Sequence, residues 1–192
     1  MDNVRFNTPS VIKLGSFAGK IKYCLIDAFC IPLLKVFQLK IQCVNDQLIV
    51  IANDGFEDVA LHNLIWEYAH QYLVPENYTI CHRNGITMDN RLENLLLLSN
   101  NMIYLPIKSP SLTSFYWNIV SNLPVDMDEV DYHNSVSHES SLYECHHAPC
   151  TQLLSSEQFN CLQCRKIKYC SQRCRTMDAD VHSVFCNPSS PQ

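Results

Sequence analysis

The ordered set Cys145, Cys150, Cys161, Cys164, Cys170, Cys174, His182 and Cys186, with intervening gaps of 4, 10, 2, 5, 3, 7 and 3 residues, constrains this chain more than any other feature. Seven of its 11 cysteines fall in that stretch. Eight soft donors make two tetrahedral sites, and zinc takes four thiolate or imidazole ligands in closed structural sites. Cys161-x2-Cys164 has the spacing with which a tight turn aims two sulfurs at one ion. His182-x3-Cys186 places two donors one turn apart on a helix face. Spacing alone leaves sequential and interleaved pairings both open. The stretch has few large apolar side chains besides Leu153, Leu154, Phe159, Tyr169 and Phe185, too few to fold by burial alone. Two zinc ions are therefore expected to supply the missing stability, and with seven thiolates they move the net charge from −5 to about −8. Arg165, Lys166, Lys168, Arg173 and Arg175 are expected to screen those thiolates rather than to form a nucleic-acid patch.

The rest of the composition narrows the class. A chain of 192 residues has room for one modest domain and a small second one, which excludes a large multidomain enzyme. Residues 1–123 hold 9 basic and 10 acidic side chains, 124–144 hold 6 acidic and no basic ones, and 145–192 hold 5 basic and 3 acidic. Charge thus marks a boundary near Pro124, and a net charge of −5 gives no basic field to collect phosphates, so no nucleic-acid partner is expected. Met1 to Ser10 are polar, and no stretch approaches the roughly 18 to 20 apolar residues of a membrane span. The expectation is an intracellular protein, where clustered cysteines point to metal rather than disulfides.

Upstream, Val11 to Leu14, Ile21 to Ile26, Val36 to Cys43 and Leu48 to Ile51 read as strands. Cys24, Cys30 and Cys43 lie in these apolar patterns and read as small buried hydrophobes. Leu61, Leu64, Ile65, Tyr68 and Tyr72 recur on one helical face, closed by Val74-Pro75. Tyr78 to Cys81 reads as a further strand, with a turn at Asn84-Gly85 and an apolar run from Leu95 to Leu98. Leu112, Phe115, Tyr116, Ile119, Val120 and Leu123 predict a second helix that starts at Pro110-Ser111, stops at Pro124 and packs back on the front domain. The chain reads as α+β, with an N-terminal mixed domain over 10–123, an acidic and polar linker over 124–142, and a small C-terminal finger over 143–187.

The ligand order, with Tyr169-Cys170-Ser171-Gln172-Arg173-Cys174, Asp178 and His182-x3-Cys186, resembles the MYND zinc finger. The resemblance implies interleaved sites, with Cys145, Cys150, Cys170 and Cys174 on one zinc and Cys161, Cys164, His182 and Cys186 on the other. It leaves His146 and His147 as bystanders. MYND fingers bind proline-containing peptides in a groove that commonly has a small polar residue, a Gln and a Trp where this chain has Leu162, Arg175 and Ala179. Losing the indole removes about 1.5 to 3 kcal/mol of apolar burial from such a groove.

Leu61-His62-Asn63-Leu64-Ile65-Trp66, Ile80-Cys81-His82-Arg83-Asn84-Gly85 and Asp89-Asn90-Arg91-Leu92-Glu93-Asn94-Leu95 resemble HNH endonucleases of the homing and phage type. The resemblance places His82 at the general base and Asn90 and Asn94 at the loop asparagines. The metal-binding Asp of such enzymes is replaced by Cys81, a poor ligand for a hard cation. The later helical Asn falls near Ile103, with Asn100 or Asn101 as substitutes. No catalytic residue is therefore expected.

Both halves together, including Lys13-Leu14-Gly15, Ala18-Gly19-Lys20, Leu25-Ile26-Asp27, Tyr116-Trp117 and Tyr143-Glu144-Cys145-His146, resemble receptor-interacting MYND zinc finger proteins. That likeness implies a non-catalytic adaptor in the cytoplasm and at the inner face of the plasma membrane. Its partner would be the cytoplasmic C-terminal tail of a G-protein-coupled receptor. The alternatives are a metal-dependent HNH-type nuclease and a nuclear co-regulator acting through the finger.

Overall fold

Alternating apolar and polar residues open the chain as two paired strands, β1 (Pro9–Phe17) and β2 (Lys20–Asp27). Ala18 and Gly19 make the turn with left-handed backbones, φ 52° and 86°. The computed structural model describes residues 8–44, 47–104, 115–126, 143–150, 152–154 and 158–187. The chain is α+β. It divides into two units, one of Met1–Leu14 with Tyr23–Val120, the other of Gly15–Lys22 with Ser121–Gln192.

In the first unit, β3 (Gln38–Val44), β4 (Gln47–Asn53) and β5 (Asp58–Ala60) form an antiparallel sheet with β4 in the middle, in the register Gln38↔Asn53 and Ile51↔Ala60. β3 alternates exposed and half-buried residues, as a strand with one covered face does. Helix α2 (Leu61–His70) buries Leu61, Ile65 and Trp66. β6 (Tyr78–His82) and β7 (Leu95–Ser99) pair antiparallel, with Tyr78 opposite Ser99 and His82 opposite Leu95. Ile26, Val50, Ala52, Leu61, Ile65, Ile80 and Leu95 share one core with Cys24 and Cys30. The turn after β6 is tied to β2 by Leu25 N–H to Met88 O and Asn90 N–H to Leu25 O, at 2.9 and 2.7 Å.

Three expectations change. Helix α2 ends at His70 because Gln71 adopts the left-handed conformation, so Tyr72 lies beyond it and is half exposed. Cys30 is fully buried but closes a 3-10 turn (Ala28–Cys30) rather than a strand, followed by α1 (Ile31–Leu34). The second helix is described as α3 over Phe115–Val120, in which Val120 is buried while Phe115 and Ile119, expected on the covered face, are exposed. The predicted start at Pro110-Ser111 lies outside the described residues. Leu112 lies outside the described residues.

In the second unit, β8 (Phe159–Asn160) and β9 (Lys168–Tyr169) form a small hairpin ahead of helix α4 (Gln172–Ser183). Ser171 caps α4, its hydroxyl accepting from Cys174 N–H at 3.2 Å. The interior is largely sulfur: Cys145, Cys161, Cys164 and Tyr169 are buried, with Leu154, Ile167 and the other four cysteines packed against them. Residues 15–22 join this unit through Glu144 N–H to Ala18 O and Ile21 N–H to Val125 O, both 2.9 Å. A Cβ on Gly19 would lie 2.8 Å from the Tyr143 ring, so that turn position requires glycine. Val125 is buried in this unit and the Asp126 side chain is only 10% exposed, although both fall in the stretch read as linker. Residues 127–142 lie outside the described residues. Among the described residues, no helix is long and apolar enough to cross a membrane.

Candidate metal centres

The eight donors named from the sequence gather into two sets of four. Cys145, Cys150, Cys170 and Cys174 form the first, and Cys161, Cys164, His182 and Cys186 the second, with donor atoms within 4.8 Å of one another in each. The cysteines are free thiols. In the first set Cys150 Sγ lies 3.8 Å from Cys170 Sγ, which lies 3.6 Å from Cys174 Sγ. In the second, Cys161 Sγ to Cys186 Sγ is 3.8 Å and Cys164 Sγ to His182 Nε2 is 3.5 Å. A tetrahedron with Zn–S of about 2.3 Å and Zn–N of about 2.05 Å has S···S edges of about 3.8 Å and S···N edges of about 3.5 Å. A disulfide would need about 2.05 Å. Each set therefore has the donor chemistry and spacing that a four-coordinate zinc ion requires.

Local folding explains why the donors converge. Helix α4 places Cys174, Asp178 and His182 at successive i, i+4 positions, and the first and last of these belong to different sets. The turn from Cys161 to Cys164 closes with Arg165 N–H on Cys161 O at 3.1 Å and a left-handed Arg165, φ 55°. Burial raises the Cys161 thiol, but backbone N–H groups of Cys164 and Gln163, with the neighbouring Cys164 and Cys186 thiols, bring it down to about 6.

Beside the first set, the Lys20 ammonium is 2% exposed and donates to the carbonyl oxygens of Cys150 at 2.7 Å and Cys145 at 3.1 Å. The carbonyls of His147 and Ala148 follow at 3.4 Å each. Lys20 also pairs with buried Glu144 at 2.9 Å, and Glu144 binds Lys22. Four thiolates around a divalent ion leave a formal charge of −2, and Lys20 supplies a fixed cation beside it. Burial, and then the Lys20 charge, lower the Lys22 amine to about 8 against the opposing pull of Glu144.

Beside the second set runs a buried chain of polar side chains. His182 Nδ1 lies 3.1 Å from Asp126 Oδ1, and His146 Nε2 lies 3.3 Å from the same oxygen. His146 Nδ1 lies 2.9 Å from Asp178 Oδ2, which also accepts from Tyr169 O–H at 2.9 Å. Burial works against both carboxylates, but hydrogen bonds and charge from the two imidazoles hold Asp126 below the usual carboxylate range, and His146 and Tyr169 do the same for Asp178. Asp126, Lys20 and Glu144 were not legible as parts of a metal centre. His146 adjoins a ligand in sequence, and Asp178 belongs to the quoted signature. A cleft of about 290 Å³ opens against the second set, and Leu162, Arg175 and Ala179 are among its lining residues.

The first unit brings together other residues. His82 is buried, with Nε2 3.2 Å from Asn90 Oδ1, and its ring meets that of His62 edge to face at 5.1 Å. Burial, with some repulsion from His82, lowers His62 to about 4, and burial also lowers His82. Asn90 Nδ2 donates to Cys24 Sγ at 3.3 Å and Thr87 O at 3.2 Å. Asn94 braces the turn, donating to Asn84 Oδ1 and Asp89 O at 2.9 and 2.7 Å. Asp89 is clamped by Arg91 through two bonds of 2.8 and 2.9 Å and by Asn84 Nδ2 at 2.9 Å. Burial raises the Cys81 thiol. Asn100 is tied to Asn77 and Glu76 at the end of the β6–β7 pair opposite His82. Ile103 is 90% exposed outside any helix. Among the described residues, no group of three His, Cys, Asp or Glu donors converges near His82.

Residues 59–102 match a family described as HNH endonuclease. No solved structure matches the chain. The HNH-like segment runs from β5 through β7, so it contains His62, Cys81, His82, Asn90 and Asn94 and ends before the second unit.

Proposed function

We propose that this protein is a zinc-binding, non-catalytic adaptor for protein interactions, with a MYND-type finger holding two zinc ions and the HNH-like segment serving as scaffold. The observation that carries this reading is the convergence of eight donors on two sets of four. Four protein ligands close the zinc shell, and a closed shell stabilises a fold where an open position would activate water. The polar groups around His82 are spent on one another, which suits a scaffold: Asn90, Asn94 and Asp89 all have protein partners. The finger also exposes Leu162, Met177, Val181, Val184 and Phe185, the kind of apolar surface a partner covers.

The partner class follows from likeness to zinc finger MYND domain-containing protein 19, also described as a melanin-concentrating hormone receptor interacting zinc finger protein. By that likeness the chain binds the cytoplasmic C-terminal tail of a G-protein-coupled receptor, in the cytoplasm and peripherally at the plasma membrane. Native mass spectrometry tests the metal, with two zinc ions per chain expected and a folded metal-free C-terminal unit overturning the reading. Binding of the full chain to immobilised receptor tails tests the partner. Cys164→Ser should abolish capture and His82→Ala should preserve it.

The family match over 59–102 favours a second reading, a metal-dependent nuclease. Plasmid cleavage with Mg²⁺ or Mn²⁺, abolished by His82→Ala, would establish it against the adaptor.

A further inference from the structure

We infer that Asp126 is a positioning residue of the second metal centre, holding the His182 ring so that Nε2 turns its lone pair to the ion. The inference rests on the zinc reading above and extends it to a residue that is not a ligand and lies 56 positions before His182.

The two nitrogens of His182 keep different company. Nε2 stands with Cys161, Cys164 and Cys186, 3.5 Å from Cys164 Sγ, while Nδ1 stands 3.1 Å from Asp126 Oδ1. An imidazole that coordinates through Nε2 keeps its proton on Nδ1, and an ionised carboxylate can only accept that proton's hydrogen bond. Such a carboxylate fixes tautomer and ring orientation and makes the ligating nitrogen more basic.

A second observation points the same way. The Asp126 side chain is 10% exposed, yet its Oδ2 is buried with no hydrogen-bond partner among the described residues. Burying a half-satisfied carboxylate is costly unless positive charge stands close by. The proton that His182 keeps on Nδ1 when Nε2 is the ligand offsets that cost at Oδ1. His146 Nε2 lies 3.3 Å from the same Oδ1, and the Val125 carbonyl, held by Ile21 N–H at 2.9 Å, anchors the backbone next to it.

The test uses the full chain loaded with Zn²⁺ or Co²⁺ and titrated with a competing chelator. Asp126→Ala should weaken metal binding at the second centre about 10- to 100-fold, so one of the two ions leaves early while the all-cysteine centre keeps its own. Asp126→Asn, which retains an accepting oxygen without the charge, should fall between, and Asp126→Glu should recover most of the affinity. In the cobalt form, only the bands of the three-sulfur, one-nitrogen centre should shift, with the zinc-saturated circular dichroism unchanged. Unaltered release of both ions from Asp126→Ala overturns the inference. So does equal loosening of both centres in the alanine and asparagine variants, which would mark general damage to the unit. A wild-type chain that binds no zinc defeats the zinc reading itself, and this is seen before any substitution is made.

Discussion

The two units solve the same problem with opposite materials. The first encloses aliphatic side chains such as Ile26, Val50, Leu61 and Ile65, and its buried polar groups answer one another. The second gathers cysteines where a core would be and fixes charged side chains around them. The first can be stable through burial alone, whereas the second has an interior of donors that could hold two cations.

Chelation should separate the two most sharply. Structural zinc contributes on the order of 10 kcal/mol per site in small fingers. Removal should melt the second unit while the first keeps its circular dichroism and hydrogen-exchange protection. Cys164→Ser should reproduce that loss, and Cys43→Ser, in β3, should leave the metal count at two; equal zinc loss from both would erase the contrast.

Lys20→Met should cost ~3 kcal/mol, because it leaves Glu144 short of a cation and the Cys145 and Cys150 carbonyls without their shared donor. Denaturation should register that loss in the second unit, with faster zinc release from the all-cysteine centre. Ile65→Ala should cost about 2 to 5 kcal/mol in the first unit by opening a cavity, with metal content unchanged. Protonation gives a smaller effect. His62 is held neutral down to about 4 against an unfolded value near 6.5, so the unfolded chain takes up the extra proton. Stability present above pH 6.5 should therefore fall as pH drops towards 4, and His62→Gln should flatten that slope. Smallest of all, Arg165→Gly should stabilise the second unit by about 1 kcal/mol in denaturant titrations, since a left-handed backbone suits glycine.

Strands β1 to β4 and β6, helix α2 and the two donor clusters were legible because each rests on a local pattern: alternation in β3, a helical stripe in Leu61 to Ile65, fixed donor spacing in 161–164 and 182–186, whereas the short β5, β8 and β9 carry too few residues for a pattern. What escaped depends on contacts remote in sequence. Lys20 looks like any strand lysine until its ammonium is found against four carbonyls more than a hundred residues away. Asp126 sits in an acidic run whose composition suggested a linker, and only the fold sets it beside His182. The end of α2 escaped for a different reason, because Gln71 carries no signal for a left-handed stop, and Tyr72 continued the apolar periodicity past it.

The alternation of ligands along the chain constrains how the protein is made. As synthesis proceeds from the N-terminus, Cys145, Cys150, Cys161 and Cys164 emerge before any later donor, and together they could seize a single ion in a pairing the finished molecule does not use. Neither set is complete until its later donors arrive, Cys170 and Cys174 for one, and for the other His182 on α4 with Cys186, which lies past the helix end at Ser183 rather than on the predicted helix face. On the zinc reading proposed above, the nascent finger must therefore stay reduced and lightly metallated, or exchange its first ion, until Cys186 has emerged.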